Sequence, residues 1–290
     1  MPVFRRFFRC VGEAIAARGM RCLLGVVPFG EHIYDICSDT LDRMKRESQA
    51  EEQRRQFEAC IQANLTDIKT EAVAVFQEVR AAASPEVRTQ LDQPEVAQNF
   101  VGYLTQVPAS IRASQRRPAD PTGRSLGKNF SIQKVDDLVR MFPVRAPRFQ
   151  PGHTLSIGWQ LEELLGVGGF GEVWRARHPV FTNLPPVALK FCLDEASARN
   201  LRHEGALLNR IMGESRAGGL VTLKNAYLNH EPPCLEYEFV AGGDLCNYVG
   251  EWFRLDVETR DNRARQIILK LATILAPLHQ LNPAIVHRDL

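Results

Sequence analysis

From Leu41 to Ala83 the chain has neither Gly nor Pro, and apolar side chains recur at Ile61, Leu65, Ile68, Ala72, Val75 and Val79. These alternating steps of four and three mark the seam of a packed helix or coiled coil. Ser84-Pro85 ends the run, because Pro cannot continue a helix and restricts the residue before it. A second helical stretch, Glu95 to Ser114, carries Val96, Phe100, Tyr103, Leu104 and Val107, and Pro108 interrupts its last turns. Arg116 to Gly123 reads as a loop, with two prolines, a glycine and no periodicity. Pro143 to Gly152 holds three prolines and reads as a linker or an ordered arm.

After about residue 155 the period changes from helical to alternating. Leu161 to Val167 alternates weakly and runs into Gly166-Val-Gly-Gly-Phe-Gly171. Glu172 to His178 then alternates with period 2, so a strand follows the glycines. A dinucleotide-binding glycine motif is followed by a helix, whereas strand, glycine turn and strand make a hairpin flap. Glycines in such a flap let backbone N–H groups approach phosphates with no Cβ in the way, although the same motif also serves as a tight hairpin with no ligand.

Val187-Ala-Leu-Lys190 is a third strand ending in a cation, which could be a solvated edge Lys or a point charge reaching phosphates from under the flap. Glu195 to Met212 reads as a helix with Leu201, Leu207, Leu208 and Ile211 on its apolar side. It carries Glu204, a carboxylate that could hold Lys190 in position. Leu220 to Leu223 and Cys234 to Val240 read as strands, and Ala241 to Leu245 as a turn. Glu258 to His279 is an amphipathic helix whose predicted buried face is Ile267, Ile268, Leu271, Ile274, Leu275 and Leu278.

Composition changes the picture only slightly. The 290 residues carry 36 basic and 34 acidic groups, which excludes an obvious polybasic nucleic-acid binder and an acidic solvating tail. The seven cysteines form no C-x-x-C pair. Buried free thiols in a reducing compartment, the cytoplasm, are the expected reading. No apolar run is long enough for a spanning helix. The start, with Arg5, Arg6, Arg9 and the short apolar stretch Cys22 to Phe29, reads as a basic amphipathic segment packed on its own protein, not as a signal peptide.

The flap Leu165-Gly-Val-Gly-Gly-Phe-Gly-Glu-Val173, the strand Val187-Ala-Leu-Lys190 and the stop His287-Arg-Asp-Leu290 resemble, in order and spacing, three signatures of the protein kinase catalytic domain. The resemblance implies an α+β fold: a kinase small lobe of antiparallel sheet plus helix at 155–240 and the start of the helical large lobe at 241–290. A helical region, 1–115, and a linker or arm, 116–154, precede them.

The resemblance also implies site residues. Gly166, Gly168, Gly169 and Gly171 shape the loop over the ATP phosphates, with Phe170 at its tip. Leu165, Val173 and Ala188 line the adenine slot. Lys190 binds phosphates and pairs with Glu204. Tyr237 falls at the gatekeeper position. Glu238 and Val240 offer backbone hydrogen bonds to adenine, and Asp244 reaches the ribose. Asp289 accepts the substrate hydroxyl proton, and Arg288 marks the class whose activation loop is phosphorylated.

ATP and Mg2+ are the implied cofactors, and a protein substrate the implied partner. Ser/Thr specificity is favoured as the commoner class, and the Arg-rich composition suggests a bacterial type. The family's metal-binding Asn and Asp-Phe-Gly would follow Leu290, so the 290-residue polypeptide alone is expected to be inactive or nearly so, and its helix Glu258 to His279 to expose apolar surface that the rest of the large lobe would cover. Two alternatives stand: a pseudokinase or ATP-binding scaffold, and a helical N-terminal region that binds a partner or self-associates. The 3–4 spacing of that region also suits packing on the small lobe.

Overall fold

The computed structural model describes residues 2–19, 29–128, 130–168, 171–193, 195–214 and 219–286. Helix α1 (Arg5–Ala14) buries Phe7, Phe8, Cys10, Val11 and Ala14. Its opposite side sends Arg5 to Glu71 and Glu78, and Arg9 to Glu47. The described part of the N-terminal segment thus packs on its own protein, as its amphipathic pattern predicts. Most of the short apolar stretch, Cys22 to Pro28, lies outside the described residues.

The run without Gly or Pro is three helices, not one: α2 (Phe29–Glu47), α3 (Ala50–Gln62) and α4 (Leu65–Ala82). Polar side chains make the breaks. Gln53 donates to the carbonyls of Met44 and Ser48 across the first. Asn64 caps α4 by accepting from the Asp67 amide, which satisfies one of the unpaired N–H groups of a helix start. Ile61 and Leu65 therefore sit on different helices, and Leu65 is exposed.

Pro85 ends α4 as expected and then opens α5 (Pro85–Leu91) at a position that needs no N–H. Helix α6 (Pro94–Gln115) runs through Pro108 without ending there. Pro inside a helix costs about 3 kcal/mol, and here the fully buried flanks Tyr103, Leu104, Val107 and Ile111 offset it. The seam Ile68, Ala72, Val75 and Val79 is consumed inside the helical region, in one core with Phe7, Phe57, Phe100 and Tyr103.

The segment after α6 divides between two cores. Leu126, Ile132, Leu138, Met141 and Phe142 join the helical core, and a short helix α7 (Val135–Val139) that periodicity could not reveal lies among them. Phe149, Leu155 and Trp159 join the core of the sheet instead. Pro143 to Gly152 is thus an ordered arm that leads from one core to the other.

The sheet is antiparallel throughout, in the order β1-β2-β3-β5-β4. Its strands are β1 (Gln160–Val167), β2 (Gly171–Arg177), β3 (Val187–Cys192), β4 (Leu223–Tyr227) and β5 (Cys234–Glu238). Strand β4 begins where the sequence pattern places its end, and β5 stops two residues short of Val240. The register fixes two faces. Trp174 pairs with Leu189, and Leu189 with Glu236, so these share the face under the arm. Val173 pairs with Lys190, and Ala188 with Tyr237, so these share the opposite face. Helix α8 (Glu195–Glu214) contacts β3, β4 and β5, and its Leu201 packs with Cys192 and Leu235 of that second face.

Beyond β5 come α9 (Leu245–Gly250), a 3-10 turn (Glu251–Arg254) and α10 (Val257–His279), capped by Asp256. The apolar stripe of α10 is not a buried face here. Only Leu278 is buried, and Ile268 is 65% exposed. Periodicity marks a surface that wants a partner, and the described residues supply one only at the helix end, where Leu278 meets Ile211 and Ile285.

Cys10, Cys37, Cys60 and Cys234 are free thiols and buried, and Cys192 is buried as well. Burial pushes the thiols of Cys10, Cys37, Cys60 and Cys234 up to about 12, because a thiolate loses its hydration there. No described helix is long and apolar enough to cross a membrane.

Candidate active site

The site lies on the face of the sheet that carries α8. Lys190 projects from β3, and its Nζ meets both oxygens of Glu204, at 2.8 Å and 2.6 Å. Helical spacing puts Glu204 on the same side of α8 as Leu201, so burying Leu201 aims the carboxylate at the strand. The pair is partly exposed, with side chains 40% and 35% accessible. A cation so placed is open to a ligand from solvent, and its low burial makes it a minor contributor to stability.

Tyr237 completes the group. Its hydroxyl donates to Glu204 Oε1 at 2.7 Å, so β5 as well as β3 holds the α8 carboxylate. Burial, and then the bond to Glu204, raise the phenol well above its ordinary range. The unfolded chain ionises Tyr near pH 10 while the native phenol stays protonated, so this group's contribution is whole below about pH 10 and is lost above it. The expected slope there is about −1.4 kcal/mol per pH unit. Tyr237→Phe is expected to cost about 1 kcal/mol at neutral pH and to flatten that slope. Urea titrations at pH 7 and pH 11 on both proteins check it; equal losses at the two pH values would contradict the bond.

The glycine motif forms the hairpin between β1 and β2. Gly166 pairs with Val173, and the Gly168 amide donates to the Gly171 carbonyl at 3.0 Å, closing the mouth of the turn. A Cβ on Gly171 would lie 2.0 Å from the Phe191 carbonyl oxygen, so only glycine lets β2 approach β3 at this point. Among the described residues, a Cβ on Gly166 or Gly168 would meet nothing within 4 Å, so no described side chain covers their backbone. Leu165, Val173 and Ala188 are half-buried nearby. Gly169 and Phe170 lie outside the described residues, as do His287, Arg288, Asp289 and Leu290.

The segment after β5 carries the other expected contacts. The Glu238 amide donates to the Thr222 carbonyl at 2.9 Å, and Glu238 Oε1 accepts from the Thr222 amide at 3.0 Å. Val240 is exposed, and so is Asp244. Between Glu238 and Val240 in the chain, the Phe239 ring lies under two guanidinium groups, Arg116 at 5.5 Å and Arg175 at 5.2 Å. Gly243, at φ +79°, passes so close to the Arg116 carbonyl that a Cβ would sit 2.2 Å from it.

The sequence pattern gave no sign of a second cluster on the opposite face. Glu172 follows the last glycine and is fully buried. Its Oε1 accepts from Arg145 Nη1 at 2.8 Å and from the Arg148 amide at 2.6 Å, and its Oε2 from Trp174 Nε1 at 2.8 Å. The only available signal was its place in β2: the even positions 172, 174 and 176 face the arm, so an acid among them needs a partner.

Comparison with known proteins points to one family. Residues 159–290 match the family described as protein tyrosine and serine/threonine kinase. The chain is similar to the rat inhibitor of nuclear factor kappa-B kinase subunit beta, at 30% identity over 138 residues, which are 46% of this chain and 17% of that protein. It is 32% identical over 192 residues to the probable LRR receptor-like serine/threonine-protein kinase IRK of Arabidopsis thaliana, covering 64% of this chain and 19% of that one. Wall-associated receptor kinase-like 20, also of Arabidopsis thaliana, is 33% identical over 132 residues, 44% of this chain and 19% of its own length. The chain thus spans less than a fifth of the length of each of these relatives. Residues 159–290 belong to the protein kinase family, a family of phosphotransferases.

Proposed function

We propose that the kinase part of this chain binds ATP in the cleft between the glycine-rich turn and the segment after β5, and serves transfer of the γ-phosphoryl group to Ser or Thr hydroxyls of a protein. The observation that carries the reading is the bidentate Lys190–Glu204 pair beneath an open glycine backbone. The donor set fits the ligand: a fixed cation and bare peptide groups suit phosphate oxygens, and half-buried Val173 and Ala188 suit a flat apolar base.

ATP, when bound, supplies the phosphoryl group, and the protein supplies position and charge. Lys190 would offset negative charge on the α- and β-phosphates, while Glu204 keeps its ammonium from swinging into solvent. Glu238 would use its carbonyl toward adenine, since its amide is engaged by Thr222. Val240 would use its backbone beside it, and Asp244 would reach the ribose. Asp289 would take the proton of the substrate hydroxyl. Among the described residues no group of three or more His, Cys, Asp or Glu is placed to hold a metal ion. Magnesium would therefore reach this part of the site on the phosphates. The cytoplasm is the proposed location, in keeping with buried free thiols.

Thermal unfolding with and without Mg·ATP tests the reading. Ligand at one hundred times its dissociation constant stabilises the folded form by about 2.7 kcal/mol, so the melting temperature is expected to rise with nucleotide concentration. A midpoint that does not move at millimolar Mg·ATP, with no heat of binding in calorimetry, would overturn it.

A further inference from the structure

The arm that joins the helical region to the sheet reaches the glycine-rich turn from behind. Arg145 touches both limbs of that hairpin. Its Nε donates to the Gly168 carbonyl, on the limb leaving β1, at 3.3 Å. Its Nη1 donates to Glu172, on the limb entering β2, at 2.8 Å. Glu172 is itself immobilised by the Arg148 amide and Trp174 Nε1 in a fully buried position. The fork of a guanidinium can serve two acceptors at fixed separation; an ammonium is a single point.

Beside its backbone pairing, the turn has few packing contacts at its limbs: among the described residues, nothing lies within 4 Å of where a Cβ on Gly166 or Gly168 would be. A stretch with few packing contacts opens easily, so one charge-assisted bond to its backbone carries unusual weight. The base of the arm is firm: Phe149 stacks on Phe191 of β3 at 4.7 Å, and the Tyr103 hydroxyl of α6 holds the Pro143 carbonyl at 2.8 Å. The helical region is thereby connected to the turn through continuous packed contacts.

We propose that Arg145 is a positioning residue for the nucleotide site: it fixes the opening of the glycine-rich turn, so that the N-terminal region sets the affinity for the phosphate-bearing part of the nucleotide. This rests on the ATP reading above. Arg145 meets the turn on the side away from the cleft and touches no ligand. Its effect passes through the Gly168 peptide and the Glu172 carboxylate. It therefore acts on ligands that need the turn and spares those that bind only beside Glu238 and Val240.

Calorimetric titration of the full chain with Mg·ATP and, separately, with adenosine tests this. Arg145→Ala is expected to weaken Mg·ATP binding about five- to tenfold, leave adenosine binding unchanged and speed hydrogen exchange at amides 165–173. Arg145→Lys, which still neutralises Glu172 and guards against misfolding, is expected to keep the melting temperature and recover only part of the Mg·ATP affinity. Lys190→Ala is the control for the site itself. If Lys190→Ala weakens Mg·ATP while both Arg145 variants match the parent, the positioning role is refuted and the nucleotide site stands. Equal loss for Mg·ATP and adenosine would also refute it, by showing a merely structural role. If the parent chain binds no Mg·ATP, the site reading fails and this inference falls with it.

Discussion

Lys190→Met is expected to lower phosphotransfer by about 10²–10³-fold in protein that carries a whole kinase domain, with the fold intact. Met keeps an unbranched apolar stem one atom shorter and removes the charge with its N–H donors. The rate effect follows from where that charge sits. Lys190 Nζ is held 2.6 Å from Glu204, so its position is set before any nucleotide arrives. A preorganised cation aimed at phosphate oxygens pays no reorganisation cost when negative charge moves during transfer. The stability effect is small for a separate reason. The two side chains are 40% and 35% exposed, and pairs of that kind contribute about 0–1 kcal/mol. Tyr237 also continues to donate to Glu204 when the Lys is gone. Radiolabel transfer to a protein substrate, with circular dichroism melts alongside, separates the two quantities. Full activity in the Met variant would remove Lys190 from the mechanism and with it the central claim about the site.

Much of this site was legible from local pattern. The change from helical period to alternation at about residue 155, the glycines between two strands and the Lys on a third strand are short-range signals, although that strand runs two residues past Lys190, to Cys192. Glu204 was legible for the same reason: helix periodicity puts it beside Leu201 on the buried side of α8. The misses share a physical cause. The break at Ser48-Gln49 is bridged by Gln53 and the one at Ala63-Asn64 carries the Asn64 cap, so no Gly or Pro announces them. The grip of Arg145 on Gly168 and Glu172 spans 23 and 27 residues. No repeat or propensity encodes such a pairing, and only the packed fold brings those groups together.

The largest loss of stability is expected from Trp174→Ala. Trp174 is fully buried at the centre of the sheet face that the arm covers, among Leu161, Leu164, Leu189, Phe191 and Phe149. Truncating a core Trp to Ala costs about 3–5 kcal/mol, partly for lost transfer energy and partly for the cavity left behind. A further term is specific to this position. The indole N–H is the donor to Glu172 Oε2, and without it a buried carboxylate oxygen loses its partner. Trp174→Phe separates the two terms, since it keeps most of the volume and loses the donor; it is expected to cost about 1–3 kcal/mol. Guanidinium titrations give both values, and a loss below about 1 kcal/mol for the Ala variant would mean that this face is not a packed core. The Glu172 carboxylate also links Trp174 to Arg145, which bonds the other oxygen. Combining Trp174→Phe with Arg145→Lys is therefore expected to deviate from additivity by at least about 0.5 kcal/mol, as residues sharing one partner do. Additive losses would instead mean that the arm and the strand hold Glu172 independently.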